Sequence, residues 1–318
     1  MSIALRMTLR QLQIFRAVAE SGSTAAAAAG LALSQSATSA AVIELERLLE
    51  LRLFDRIGKR LQLNENGRAV LPQALALLDG AGALEGWARD RESQIGQLRV
   101  GASTTIGNYL LPGILAEFQQ TLAAPARSPL RIQVMIANTA AITAQVASFH
   151  LDLGLIEGPC HEPDLTVQPW LEDELLVVAA AYDPILPRPR SRPISLAALR
   201  QATWLLREIG SGTRETIDQL LTPHLYQLRA GIEFGNSEAI KRAAASGLGI
   251  TCLSRYVVQD FLDAGALVAP ACELPRLTRR FHLVTHALKW RTRGLDLLIG
   301  HLTGMAGRGR AQIPHARN

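Results

Sequence analysis

Apolar positions recur along the chain with two different periods, helical in the first ninety residues and strand-like in short bursts thereafter. Thr8 followed by Gln11 forms a capping box: the Thr hydroxyl accepts the N3 amide and the Gln side chain reaches back to the cap. The helix it predicts carries Leu9, Leu12, Phe15 and Ala19 on one face and ends at Ser21-Gly22-Ser23. A second, alanine-rich helix over 24–29 is capped by Ser23 and broken by Gly30. Ser34 caps a third, longer helix ending near Glu50. At 100° per residue Ala37, Ala41, Leu45 and Leu48 share a packing face, while Gln35, Ser36 and Ser39 share the opposite side near the N-terminal end.

Two short helices and a longer one, with small polar residues at its outward start, fit a helix-turn-helix whose last helix enters the major groove. Gln can pair bidentately with adenine, and Ser can contact any base. Residues 53–63 then read as two short strands around Gly58, a wing whose Arg56, Lys59 and Arg60 can grip phosphates. An ordinary helical subdomain with a solvated basic loop is the competing reading. The next segment, 65–91, carries Leu71, Leu75, Leu78 and Ala81 as a stripe suited to pairing with a second copy. Pro72 and the glycines at 80, 82 and 86 weaken that helix, each Gly by about 1 kcal/mol relative to Ala, and predict a bend.

From Gln97 strand-like runs alternate with helical ones, LRVGAS, IGNYLLPGILAEFQQTL, LRIQVMI, TAAITAQVASF and LDLGLIEG, a β-α-β-α-β series that implies a parallel sheet covered on both faces. A second series follows, and FHLVTHA with a helix around Leu295–Leu302 returns to the first lobe. Two α/β lobes enclose a cleft, with hinges expected at Pro169–Glu174 and Ala269–Pro275, where Pro interrupts a central strand. Ligands of such sheets bind beyond strand C-termini, where helices start. Three junctions qualify: Ser103-Thr104-Thr105, Ser211-Gly212-Thr213 and Asn236-Ser237-Glu238. Each is also explained as a helix cap; their convergence on one cleft suits an oxyanion or carboxylate.

Charge alone does not locate the DNA reader. The net charge is +5, yet residues 1–93 carry +1, 94–275 carry −4, and 276–318 carry +8. The basic end, with Arg308, Arg310 and Arg317, is most simply a solvated tail. The three cysteines, Cys160, Cys252 and Cys272, include no CxxC pair, so neither a disulfide framework nor a zinc cluster is indicated. The chain has no GxSxG elbow, no phosphate loop and no HExxH, so no enzyme and no cofactor are expected. Lacking a signal h-region and a membrane-length apolar run, the protein is expected in the cytoplasm with no membrane partner.

The runs LRQLQIFRAVAESGSTAAAA and LSQSATSAAVIELERLLELRLFDRIGKRLQLNENGR resemble the DNA-binding domain of LysR-type transcription regulators over residues 7–68. Farther on, STTIGNYLLP, DLGLIEGPCHEPDL, PWLEDELLV, GSGTRETID and NSEAIKRAAASGLGITCLSR resemble the YeiE-like, sulfite-responsive branch of that family, near the sulfur- and carbon-assimilation regulators. The resemblance implies DNA contacts from Gln35, Ser36, Thr38, Ser39, Arg56, Lys59 and Arg60. It also implies a homodimer or homotetramer on a promoter inverted repeat, and a small anionic effector, sulfite especially, lined by Ser103, Thr104, Glu157, Ser211, Thr213 and Ser237. An ionised Glu157 repels an anion unless protonated or offset by a cation such as Arg214 or Lys241.

The expected architecture is thus α/β: a winged helix-turn-helix (1–64), a linker dimerisation helix (65–93), a two-lobed sensor domain like a periplasmic binding protein (94–306), and a basic tail (307–318). Lobe 1 comprises about 94–170 and 271–306, and lobe 2 about 171–270. A small-anion solute-binding protein without DNA-binding activity is the alternative, and residues 7–68 weigh against it.

Overall fold

The computed structural model describes residues 6–58, 60–89, 97–122 and 131–308, which separate into two compact units. The first contains α1 (Leu9–Ser21), α2 (Thr24–Gly30), α3 (Gln35–Leu49), the hairpin β1 (Phe54–Ile57) and β2 (Arg60–Leu63), and α4 (Glu65–Arg89), with the short segment Leu288–Thr292. The predicted caps form. Gln11 N donates to Thr8 Oγ1 at 3.2 Å and Thr8 N to Gln11 Oε1 at 2.8 Å, while Ser23 and Ser34 accept from Ala26 N and Ala37 N. Helices α2 and α3 meet at 110° across residues 31–34, within the range of helix-turn-helix pairs.

The core of this unit is built from Leu12, Phe15, Val18, Val42, Leu45, Leu53, Phe54 and Ala74, with Phe15 and Phe54 edge to face at 5.5 Å between centroids. Two predicted helix faces are rotated. On α1 the buried residues are Leu12, Ile14, Phe15 and Val18, and Leu9 is exposed. On α3 they are Thr38, Val42 and Leu45, and Ala37 is exposed. Alanine is small enough to sit on either side of a helix, so the larger β-branched and leucyl side chains set the face. The stripe on α4 also differs from expectation: Leu75 is buried, and Leu71 and Leu78 pack on this unit's own core, leaving Leu77 and Leu84 exposed. Helix α4 is continuous through Pro72, Gly80, Gly82 and Gly86.

The second unit holds β3 (Gln97–Ser103), α5 (Thr104–Tyr109), α6 (Leu111–Thr121), β4 (Arg131–Ala137), α7 (Thr139–Ala147), β5 (Leu153–Glu157) and the long β6 (Leu165–Ala180). It continues with α8 (Leu196–Gln201), β7 (Trp204–Arg207), α9 (Gly212–Leu225), β8 (Ala230–Phe234), α10 (Ser237–Ala245), β9 (Thr251–Ser254), α11 (Arg255–Asp263), β10 (Leu267–Val268), β11 (Leu277–His286) and α12 (Arg293–Arg308). Strands β4, β3 and β5 are parallel neighbours as expected; β11 then runs antiparallel to β5, and β6 antiparallel to β11. In the second lobe β7 and β8 pair in parallel, while β9 and β10 add antiparallel to β6. Lobe 1 closes over Val100, Leu155, Phe118 and Phe281 with Leu298 and Leu302 of α12. Lobe 2 closes over Trp204, Leu206, Ile217, Leu221 and Cys252.

The first crossing falls where expected, within Pro169–Glu174, between Leu171 in the lobe 1 core and Leu175 in the lobe 2 core, but without a break in the strand, and the second lies on β11 and not at Ala269–Pro275. β6 runs unbroken through Pro169, and the crossing is a two-stranded ribbon of β6 and β11. Register passes from His282 opposite Pro169 to Arg280 opposite Glu172, so Trp170 and Leu171 face Phe281 alone. A β-bulge of this kind accommodates the N–H that proline lacks, which is why the strand survives. The stretch 269–276 is anchored within lobe 2 instead, through Ile194 N to Ala271 O and Glu273 N to Ile194 O.

Replacing Phe15, which is fully buried, by Ala is expected to destabilise the first unit by about 3–5 kcal/mol. Denaturant unfolding of the full chain checks this, and a change under about 1 kcal/mol would contradict the packing described.

Candidate functional site

Two groups of predicted residues come into view, one in each unit. In the first unit, Gln35 and Ser36 are exposed on the first turn of α3 and Ser39 is half-buried beside them. Thr38 is a correction. It is fully buried among the helices, and its hydroxyl donates to Ser34 O at 3.1 Å, so it braces the start of α3 from inside. Arg56 and Arg60 stand exposed on the hairpin, whose turn uses Gly58 at φ +64°. Lys59 lies outside the described residues.

The hairpin is held at its root. Leu61 N donates to Gly22 O at 2.9 Å, tying the wing to the α1–α2 turn. Glu46 Oε1, from α3, accepts from Leu53 N at 2.7 Å and Phe54 N at 3.4 Å. Gly67, near the start of α4, leaves no room for a side chain: a Cβ there lies 2.1 Å from Leu53 O. The angle between wing and α3 is therefore fixed by buried backbone contacts.

In the second unit the predicted residues gather between the lobes around two arginines that sequence reasoning missed. Arg207, at the C-terminal end of β7, is buried; its Nη1 donates to Thr104 Oγ1 at 2.7 Å on lobe 1 and to Ser237 Oγ at 3.0 Å on lobe 2. Its Nε and Nη2 grip Glu208 at 2.7 and 2.8 Å. Burial pushes the Glu208 carboxyl up, and the Arg207 fork outweighs it, so the group is held below its ordinary range.

Arg279, on β11, gathers the other predicted residues. Its Nη1 donates to Thr213 Oγ1 at 2.8 Å and its Nε to Asp173 Oδ2 at 2.7 Å, while Nη2 lies 2.7 Å from Glu157 Oε2 without hydrogen-bond alignment. Glu157, Asp173 and Arg279 are all buried. Burial raises the Asp173 carboxyl above its ordinary value, with Arg279 and the Ser254 hydroxyl opposing it. Burial alone would lower the Arg279 guanidinium, but Glu157 and Asp173 raise it overall, so it remains charged. The cation offsetting Glu157 is thus Arg279. Arg214 pairs with Asp218 and Glu233, and Lys241 with Glu238 and Asp260.

Ser211 caps the fourteen-residue helix α9, whose first turn abuts Glu157. Ser103, at the end of β3, is buried with its hydroxyl unpartnered, one residue beyond the last β3–β5 pair, Ala102 opposite Leu155. The predicted residues thus fall into two groups of buried hydroxyls at strand C-termini and helix starts, Thr104 with Ser237 on Arg207 and Thr213 with Glu157 on Arg279, with Ser103 preceding Thr104 and Ser211 preceding α9. Such groups present donors to an anion. A signal for Arg279 was present in the sequence, since Leu277, Arg279 and Phe281 alternate onto one buried face of the strand.

Residues 9–68 match the bacterial regulatory helix-turn-helix proteins of the lysR family, and residues 91–306 match the LysR substrate binding domain. The chain belongs to the LysR family of DNA-binding transcriptional regulators, with an effector-binding domain and without an enzymatic role. It is 46% identical over 285 residues to the HTH-type transcriptional regulator YeiE of Escherichia coli (strain K12), covering 90% of this chain and 93% of that protein. It is 31% identical to the RuBisCO operon transcriptional regulator of Allochromatium vinosum, covering 88% and 90%. In fold it resembles a full-length OxyR variant from Pseudomonas aeruginosa, with a TM-score of 0.68 at 22% identity, covering 99% of this chain and 100% of that one. Among the described residues no single helix is long and apolar enough to cross a membrane; the bent pair that passes by composition is α2 with α3.

Gly212 marks how closely the lobes meet, because a Cβ there lies 1.5 Å from Glu157 O. Gly212→Ala is expected to cost about 1–3 kcal/mol as overpacking does, read as a lower thermal midpoint of the full chain. An unchanged midpoint would show that the lobes tolerate separation at this point.

Proposed function

We propose that the chain regulates transcription in response to a small oxyanion, sulfite foremost, bound between the lobes of its sensor domain. The observation that carries the reading is the unpartnered, buried Ser103 hydroxyl, next to Thr104, whose hydroxyl shares Arg207 with that of Ser237, at a place where a strand ends and a helix begins. Two buried guanidiniums, Arg207 and Arg279, each paired with carboxylates of the protein, stand behind the site's hydroxyls, and Ser211 and the start of α9 supply further donors. Glu157 stands at the same wall, paired with Arg279. An arriving anion brings a second negative charge close to this pair, which makes Glu157 a control point for the response.

On the DNA side Gln35, Ser36 and Ser39 read base edges, and Arg56, Lys59 and Arg60 contact phosphates. The protein acts as a homo-oligomer on an inverted repeat; Leu77 and Leu84, seven residues apart and exposed on α4, supply an apolar line for pairing with a second copy. A solute-binding protein has no use for the helix-turn-helix of residues 9–68.

A thermal-shift screen of sodium sulfite, sulfate and phosphate against the full chain is expected to give a saturable rise in melting temperature with at least one of them. No rise with any of the three would remove the oxyanion reading. Glu157→Ala is expected to change both the affinity for the bound anion and its effect on promoter activity; equal values in variant and parent would refute the role given to Glu157. For DNA, Gln35→Ala is expected to weaken specific binding by about 1–3 kcal/mol, whereas Arg56→Ala weakens binding to all sequences and lowers the salt slope by about 1. Salt-dependent titrations of specific and nonspecific duplexes separate the two; identical profiles for both variants would contradict the division.

A further inference from the structure

The way Arg207 is used says more about the site than its charge. All its directions are engaged: Glu208 takes two of its N–H groups in a fork, Thr104 and Ser237 take those of Nη1, and the Gly235 carbonyl lies 3.5 Å from Nη2. A ligand can therefore reach this guanidinium directly only by displacing one of these acceptors. Its effect passes through the hydroxyls. A hydroxyl has one proton and two lone pairs, so one that accepts from a guanidinium turns its own O–H away from the cation. Thr104 belongs to lobe 1 and Ser237 to lobe 2, so a single side chain orients one donor on each wall of the cleft.

We infer that Arg207 is a positioning residue for the anion site, holding Thr104 and Ser237 as a pair of proton donors and so selecting an oxyanion that offers two acceptor oxygens to them. The inference rests on the oxyanion reading above and adds the residue that tunes it. Arg279 plays no part in this pair, because its hydroxyl partner is Thr213. The charge of Arg207 also polarises both O–H groups, and hydrogen bonds assisted by charge are about twice as strong as neutral ones. Glu208 keeps the arrangement from rotating: it is the only carboxylate bonded to Arg207 among the described residues, and it is further held by Asn138 Nδ2 at 3.2 Å.

The test is a mutant cycle on the full chain, read by calorimetric titration with whichever of sodium sulfite, sulfate and phosphate the parent binds. R207M is expected to weaken binding at least tenfold, and the T104V/S237A pair to do the same. In the T104V/S237A background R207M is expected to add less than threefold, because the oriented hydroxyls are already gone. R207K, which keeps the charge and can donate to both hydroxyls without the Glu208 fork, is expected to recover part of the loss. Losses that multiply across the cycle, or parental affinity in R207M, would overturn the positioning role while leaving the oxyanion site standing. Should R207M fail to give the parental circular dichroism spectrum, the cycle is completed with R207K, where multiplying losses again overturn it. A parent that binds none of the three anions overturns both readings together.

Discussion

The sensor unit is organised around one buried cation. Arg279 reaches Glu157 at the end of β5, Asp173 on the crossing strand β6 and Thr213 on the first turn of α9, so it touches both lobes and the ribbon that joins them. Removing one partner of such a cluster leaves an uncompensated buried charge, at a cost of about 3–5 kcal/mol, so the partners depend on each other. The cluster also explains the crossing itself. A loose extended connection would let water reach the guanidinium and two carboxylates, whereas a hydrogen-bonded ribbon with a bulge at Pro169 keeps them dry. Gly158, at φ +84°, and Gly212 then allow the backbones of the two lobes to approach to a distance no side chain permits.

The first unit solves a different problem by similar means. A reading helix must keep its outward residues free while its inward residues fix its direction. Buried Thr38 does the second by returning its hydroxyl to Ser34 O, and Val42 and Leu45 continue that face into the core. Glu46 extends the control to the wing by accepting the two amides that begin the hairpin. The direction of the outward face of α3 and that of the wing are thus set by one helix.

Much of this was legible from the residue pattern, and the failures have identifiable physical causes. Caps at Thr8, Ser23 and Ser34 were readable because a hydroxyl at the right spacing has one local use. The packing faces of α1 and α3 were misplaced because alanine carries little burial preference, so a run such as 24–29 or 37–41 leaves the phase of the helix undetermined. Of the predicted hydroxyls of the sensor site, Thr104 and Ser237 meet on Arg207, and Thr213 meets Glu157 through Arg279, all at strand-to-helix junctions that topology places. The arginines behind them were not found from those junctions. Apart from the neighbouring Glu208, Arg207 and Arg279 act across the fold, on hydroxyl and carboxylate partners from 30 to more than 100 residues away, and the strand-to-helix junctions do not record that. The strand break expected at Pro169 is absent for a related reason, because the bulge that tolerates proline depends on the opposing strand.

The arrangement of hydroxyls in front of guanidiniums bears on how a sensor releases what it binds. A guanidinium paired directly with an anion in a dry cleft makes a strong bidentate contact, and a regulator that must report a changing concentration gains nothing from a ligand that stays. Here each arginine already has carboxylate partners within the protein, Glu208 for Arg207 and Glu157 with Asp173 for Arg279. Neither cation is left uncompensated, and on the oxyanion reading proposed above a bound anion meets hydroxyls and helix-start amides whose individual contributions are modest. The same internal carboxylates, three against two guanidiniums, remove the positive potential that would otherwise draw in any anion. What remains to discriminate among ligands is the direction of a few O–H bonds, and that direction is set by side chains the ligand itself need not touch.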